Sequence, residues 1–223
     1  MGRPHPHCRD ARHAFGARAV RQIHHTGWQL QQIVTTAALG GFVVPVAVQP
    51  QYNLLERGVE LEVLPCCLGA GLAITPWSPL GGGWLTGKYR RDERPSGATR
   101  LGDDPDRGVE AYDVRNTDRT WAILGELSAI ADEHERPTAH LALAWLQSRP
   151  AVASVILGAR TLAQLDDNLA AIDLTLANDA LNRLTAVSNV ELPPYPYGMV
   201  QDFCDVDVWR RLSAAGEHSS PST

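Results

Sequence analysis

No stretch of this sequence is apolar over the ~18 residues that a bilayer-spanning helix needs, so a transmembrane segment is not expected. A basic excess is also missing. The formal net charge is -5, which argues against a nucleic-acid binder and its basic face. The N-terminus is basic but has no apolar core of signal-peptide type, which predicts a cytoplasmic protein. Cysteine is scarce and badly spaced for staples or zinc. Cys8, Cys66, Cys67 and Cys204 form no C-x-x-C pair, and they read as small hydrophobes. HExxH, G-x-S-x-G and a G-x-G-x-x-G after a strand are all lacking. His134 and His140 fall within helical patterns, where a packed or surface imidazole is the default. The residues therefore offer no catalytic group and no metal site; His5-Pro6-His7-Cys8 has neither partners nor rigid spacing for one.

What remains is an ordinary core-forming chain of 223 residues, with 44% hydrophobic and 20% charged. Residues 1–25, crowded with Arg and His, read as a disordered leader. From Thr26 the pattern is regular. A capped helix runs from about Trp28 to Leu39 and stops at Gly40-Gly41. A β-branched run, Val43–Val48, reads as a buried strand. A helix over Val59–Leu68 leads to a second strand, Leu72–Trp77. After a charged loop, Arg90–Asp113, come amphipathic helices over Asp118–Glu135 and from Pro137 to Arg149-Pro150. Val152–Leu157 reads as a third strand, Thr161 as the cap of the next helix, and Asn178–Val187 as the last helix.

Short apolar strands alternating with helices imply an α/β fold with parallel strands, whose functional residues collect past the strands' C-terminal ends. Those positions are Gln49, the Trp77–Lys88 loop and Gly158–Asn168. Lys88 and Arg160 supply cations there, and Gly81–Gly83 leave backbone N–H groups open to an anion. Trp77 offers a flat apolar face, and Gln49 and Asn168 offer paired donors and acceptors. A phosphate-bearing nucleotide is the first reading. A P-loop is the second, because Gly82–Lys88 fits G-x-x-x-x-G-K, although Tyr89 stands where a Ser or Thr should hold magnesium.

Three segments sharpen this. V-Q-P-Q-Y-N-L-L-E-R (Val48–Arg57), W-S-P-L-G-G-G-W-L-T-G-K-Y (Trp77–Tyr89) and G-A-R-T-L-A-Q-L-D-D-N-L (Gly158–Leu169) occur in an order and spacing that resemble the second half of the aldo-keto reductase superfamily. The variants are similar to the bacterial branch that shares its pattern with potassium-channel β subunits, and the resemblance covers 26–196, followed by a tail over 197–223. It implies part of a (β/α)8 TIM barrel, with about three parallel strands, that binds NADP(H) and transfers hydride to an aldehyde or ketone. By resemblance, Gln49 holds the nicotinamide carboxamide and Trp77 stacks on its ring. Ser78, Pro79, Leu80, Gly82 and Lys88 line the pyrophosphate. Gly158, Arg160 and Gln164 surround the adenosine 2′-phosphate, which favours NADP over NAD, while Asp167 and Asn168 hold the adenosine.

The departures matter as well. The family's catalytic tyrosine, aspartate, lysine and histidine belong to a first half that has no counterpart here. Arg21-Gln22-Ile23-His24-His25 stands where the family usually has G-V-S-N. The chain is also shorter than the ~250 residues of a typical barrel. These features predict a truncated product with impaired catalysis, or a non-catalytic NADP-binding or assembly module. Its exposed sheet edges should favour self-association or capture of a complementary half.

Overall fold

The computed structural model describes residues 25–104, 106, 108–191 and 193–199. The leader over 1–25 (all but His25), the His5–Cys8 segment, Cys8, Cys204 and the tail from 200 onward lie outside the described residues.

Helix α1 spans Gly27–Leu39 behind Thr26, whose backbone N–H donates to the Gln29 side chain at 3.0 Å. Gly27 is required by close packing, because a Cβ there would lie 2.5 Å from the Cβ of Glu62. The chain then crosses to strand β1, only Ala47–Val48, instead of the six-residue strand its apolar run suggests. Pro45 has no N–H to give, and Val43 and Val46 are exposed, so among the described residues this side of the sheet has no neighbour to extend the ladder. A 3-10 turn (Gly58–Glu60) and helix α2 (Val63–Ala70) replace the single helix expected over Val59–Leu68. Gly69 lies inside α2, and Gly71, in the left-handed region, ends it.

Strand β2, Ala73–Ile74, pairs parallel with β1 in the register Ala47 with Ala73 and Val48 with Ile74. Gln51 and Trp77 form a further parallel bridge. The third strand is reduced to an extended segment. Ile74 bridges Val152 in parallel, the Ile74 N–H donates to the Ala151 carbonyl at 2.7 Å, and the Ile156 N–H to the Pro76 carbonyl at 2.9 Å. The order is therefore β1, β2, then 151–156, all parallel, with their C-terminal ends on one rim.

A 3-10 turn covers Gly81–Thr86, and the charged loop contains short helices α3 (Arg100–Asp103) and α4 (Tyr112–Arg115) around a 3-10 turn at Gly108–Glu110. Helix α5 (Asp118–Glu133) buries Ile123, Leu124, Leu127, Ile130 and Ala131 on one face. Helix α6 (Thr138–Gln147) is buried all along Ala139–Leu146. Helices α7 (Leu162–Leu169) and α8 (Asn178–Val187) follow. The larger core gathers Trp84, Trp145, Tyr52 and the inner faces of α5, α6 and α8, while a smaller one joins Leu30, Val48, Leu64, Leu72 and Ile74.

Beneath the rim lies a buried polar network. Arg57, 4% exposed, donates to both carboxylate oxygens of Glu60 at 2.7 and 2.8 Å. It also reaches the Thr185 carbonyl at 2.7 Å and Ser188 Oγ at 2.9 Å. Tyr52 donates its phenol to Glu60 at 2.7 Å, and burial with the Glu60 charge pushes the phenol's pKa up. Burial pushes the Glu60 carboxyl up, but the Arg57 bonds and charge and the Tyr52 bond together outweigh it and hold the pKa below its ordinary 4.5. The stability this group contributes is thus complete above its unfolded value and is lost as pH falls through the lower folded one. Urea midpoints should hold steady from about pH 7 to 5 and fall below about pH 4.5, with Glu60→Gln flattening part of that fall. An equally steep fall in the variant would assign the acid sensitivity to other groups.

Candidate functional site

The rim carries one large cavity of about 640 Å³. From the β2 side it is lined by Trp77, Ser78, Pro79, Leu80, Gly82 and Lys88. From the opposite side come Gly158, Arg160, Gln164, Asp167 and Asn168. Gln49 is the exception: it follows β1 half-buried and does not line the cavity.

The glycine turn is shaped by backbone that other residues resist. Ser78 sits at φ 53°, and Gly81, Gly82 and Gly83 all have positive φ. A Cβ on Gly82 would lie 2.8 Å from Glu110 Oε2. Asn53, 1% exposed, donates its side-chain amide to the Ser78 carbonyl at 2.8 Å and supports the strained residue from below. The Gly82 N–H donates to Ser78 Oγ at 3.3 Å, the Ser78 hydroxyl donates to the Glu110 carboxylate, and Tyr89 donates its phenol to the Gly82 carbonyl at 3.1 Å. No helix follows Lys88; the left-handed Gly87 turns the chain toward Arg90 instead. A P-loop needs a helix N-terminus there, so the Walker-like spacing has no structural basis.

Three cations serve the cavity. Burial, and then the charges of Arg160 and Arg100, hold the Lys88 ammonium below its ordinary pKa. Arg160 pairs with Asp103 at 2.8 Å, and its backbone N–H donates to Gln164 Oε1 at 2.9 Å. Arg100 lies 3.6 Å from Glu110 and lines the same cavity. Mutually repelling cations beside backbone without Cβ atoms suit a ligand carrying several phosphate charges.

Sequence reasoning missed Arg100 and Glu110, which lie in the Arg90–Asp113 loop. One signal was legible. Thr99 caps α3, accepting from the Gly102 N–H at 2.9 Å, so the loop was not structureless. On the far side, Thr161 caps α7 as expected, accepting from the Gln164 N–H at 3.2 Å, while Asp167 accepts a bond from His140. Among the described residues there is no group of three or more His, Cys, Asp or Glu that could hold a metal ion, and no helix long and apolar enough to cross a membrane.

Parallel strands with helical connections, and a cation-lined cavity past the strands' C-terminal ends, define a protein of the α/β class. The comparisons narrow this. The pattern of the Aldo/keto reductase family matches residues 19–189, and the chain belongs to that family. A probable voltage-gated potassium channel subunit beta of Arabidopsis thaliana is 38% identical over 157 residues, which is 66% of this chain and 45% of that protein. The uncharacterized oxidoreductase YrpG of Bacillus subtilis is 32% identical over 161 residues, covering 72% of this chain and 46% of its own length. Protein tas of Escherichia coli is 33% identical over 151 residues, 68% of this chain and 42% of that one. The chain thus spans about half the length of these curated relatives. The family is one of oxidoreductases that generally use NAD(P)H on small-molecule carbonyls and have a (β/α)8 barrel; the two-stranded parallel sheet seen here is consistent with part of one.

Proposed function

We propose that residues 26–196 are the cofactor-holding part of a (β/α)8 aldo-keto reductase, binding NADP(H) for hydride exchange with an aldehyde or ketone in the cytoplasm. The observation that carries this is the convergence of Lys88, Arg100 and Arg160 on a cavity walled by the glycine turn. Trp77 would face the nicotinamide, Ser78–Lys88 the pyrophosphate, and Gly158, Arg160 and Gln164 the 2′-phosphate. Asp167 and Asn168 would take the adenosine. Gln49 would reach the carboxamide only if its side chain turned from its present half-buried position. The bound dinucleotide would supply the hydride; the chain's own residues orient it and neutralise its charge.

Among the described residues that line the cavity there is no phenol or imidazole to protonate the developing alkoxide. The chain alone is therefore a cofactor binder with negligible reductase activity. A second reading, assembly, is favoured by the two exposed apolar edges. Val43 and Val46 precede β1, and Leu162, Leu165, Leu169 and Ile172 follow the third extended segment. These would seat further barrel elements or a second copy of the chain.

Fluorescence titration should show NADPH binding, while NADPH with a reactive aldehyde should be oxidised no faster than without protein. Gel filtration of the same sample should give a mass above the monomer. Absence of NADPH binding would sink the first reading, aldehyde-dependent oxidation at rates typical of reductases would sink the claim of inactivity, and a clean monomer would sink the second reading.

A further inference from the structure

Helix α6 is buried along Ala139–Leu146, and every residue of that stretch but one is Ala, Leu or Trp. The exception is His140, 4% exposed. Its Nε2 lies 3.0 Å from Asp167 Oδ1 on α7. A carboxylate only accepts, so the imidazole is the donor and Nε2 carries the hydrogen. Nδ1 is then left buried without a hydrogen-bond partner among the described residues. Orphaning a ring nitrogen in an apolar helix face costs free energy that a leucine there would avoid. Only the bond to Asp167 offsets it.

The helix at the other end of that bond needs such an anchor. Leu162, Leu165 and Leu169 of α7 are exposed, and Asn168 is its one buried residue. Gln164 bonds within its own turn, and Arg160, just before α7, pairs with Asp103. Among the described residues, His140–Asp167 is the side-chain hydrogen bond that ties α7 to another element. Asp167 is itself half-exposed and lines the cavity beside Gln164 and Asn168.

We propose that His140 is a positioning residue for the adenosine end of the cavity: it orients the Asp167 carboxylate and sets the depth at which α7 presents Gln164, Asp167 and Asn168 to an adenosine 2′-phosphate. The inference rests on the NADP(H) reading above. His140 does not touch the ligand; it acts through Asp167, and so its loss is felt at one end of a dinucleotide and not at the other.

The test splits the dinucleotide. Adenosine 2′,5′-bisphosphate and reduced nicotinamide mononucleotide are titrated separately against the full chain and two variants. His140→Leu should weaken the bisphosphate roughly five- to tenfold, the net effect of one ordinary hydrogen bond felt through Asp167, and leave the mononucleotide unchanged. His140→Gln, whose Nε2 amide still donates, should stay within about twofold of the parent on both. An unchanged bisphosphate affinity in His140→Leu overturns the proposal, and so does an equal loss on both fragments, which would mark a packing defect. If the leucine variant does not fold, the cycle of His140→Ala with Asp167→Ala decides, because each of these substitutions removes the bond. Strong non-additivity on bisphosphate binding supports the proposal, and additive effects overturn it. A parent chain that binds neither fragment removes the NADP(H) reading and this inference together. One that binds both while His140→Leu matches it removes only this inference.

Discussion

Replacing Arg57 with methionine is expected to destabilise the chain by about 3–5 kcal/mol, the usual cost of deleting one partner of a buried ion pair. The guanidinium is almost wholly enclosed and uses three nitrogens at once, two on Glu60 and one on both the Thr185 carbonyl and Ser188 Oγ. It also lies 5.5 Å over the Trp145 ring. Methionine would fill part of the volume but leave the Glu60 carboxylate, 17% exposed, with the Tyr52 phenol as its remaining close donor. Neutralising that carboxylate should recover part of the loss, so Arg57→Met with Glu60→Gln should be more stable than Arg57→Met alone. Urea unfolding monitored by tryptophan fluorescence would measure both. A loss below about 1 kcal/mol, the range of an exposed pair, would mean the network contributes little.

The consequence reaches the site. Arg57 clamps the segment after β1 to the end of α8, and the same segment carries Asn53, which supports Ser78. The motif Val48–Arg57 is therefore largely structural: Tyr52, Asn53 and Arg57 are all buried and bonded, and none of them lines the cavity.

Arg160→Ala should weaken NADPH binding roughly ten- to a hundredfold and leave NADH nearly unchanged, which corresponds to losing about 1.5–3 kcal/mol of charge-assisted hydrogen bonding. The reasoning starts from the ion pair with Asp103, in which both side chains are about half exposed. Such a pair is weak enough to be exchanged for a doubly charged phosphate, to which the planar guanidinium binds in bidentate fashion. NADH lacks that phosphate, so the arginine has little to offer it. Asp103→Asn works in the opposite sense, by freeing Arg160. Parallel fluorescence titrations with both dinucleotides are the measurement. Equal losses for NADPH and NADH would place Arg160 away from the 2′-phosphate.

How legible the chain was depended on the range of the interaction. Thr26 and Thr161 cap their helices as expected, the apolar stripe of α5 faces the core, and the left-handed Gly41 follows α1. Each is decided within a turn or two of backbone. The two main clusters of cavity-lining residues were likewise visible, because motifs of contiguous residues carry their own geometry. Strand length was not. A strand extends only as far as a neighbour shares its hydrogen bonds, so Val43–Val46 stays outside the named strands despite β-branched sequence, and Val152–Leu157 meets β2 through a single bridge and a few bonds.

The sequence by itself determined where α1, α5, α6, α7 and α8 begin, that the strands run parallel, and that Trp77–Lys88 and Gly158–Asn168 stand on a common rim. Periodicity, capping chemistry and glycine's access to positive φ are local properties that a linear chain displays. Only the tertiary structure decided that Arg100 lines the cavity and Glu110 bonds Ser78 beside it, that Gln49 stays out of the cavity, that Arg57 ties the segment after β1 to α8 and that His140 is bonded to Asp167. These depend on side chains brought together from separate elements, and their partners are chosen by packing: a buried charge or imidazole must find its counterpart wherever the fold happens to place one.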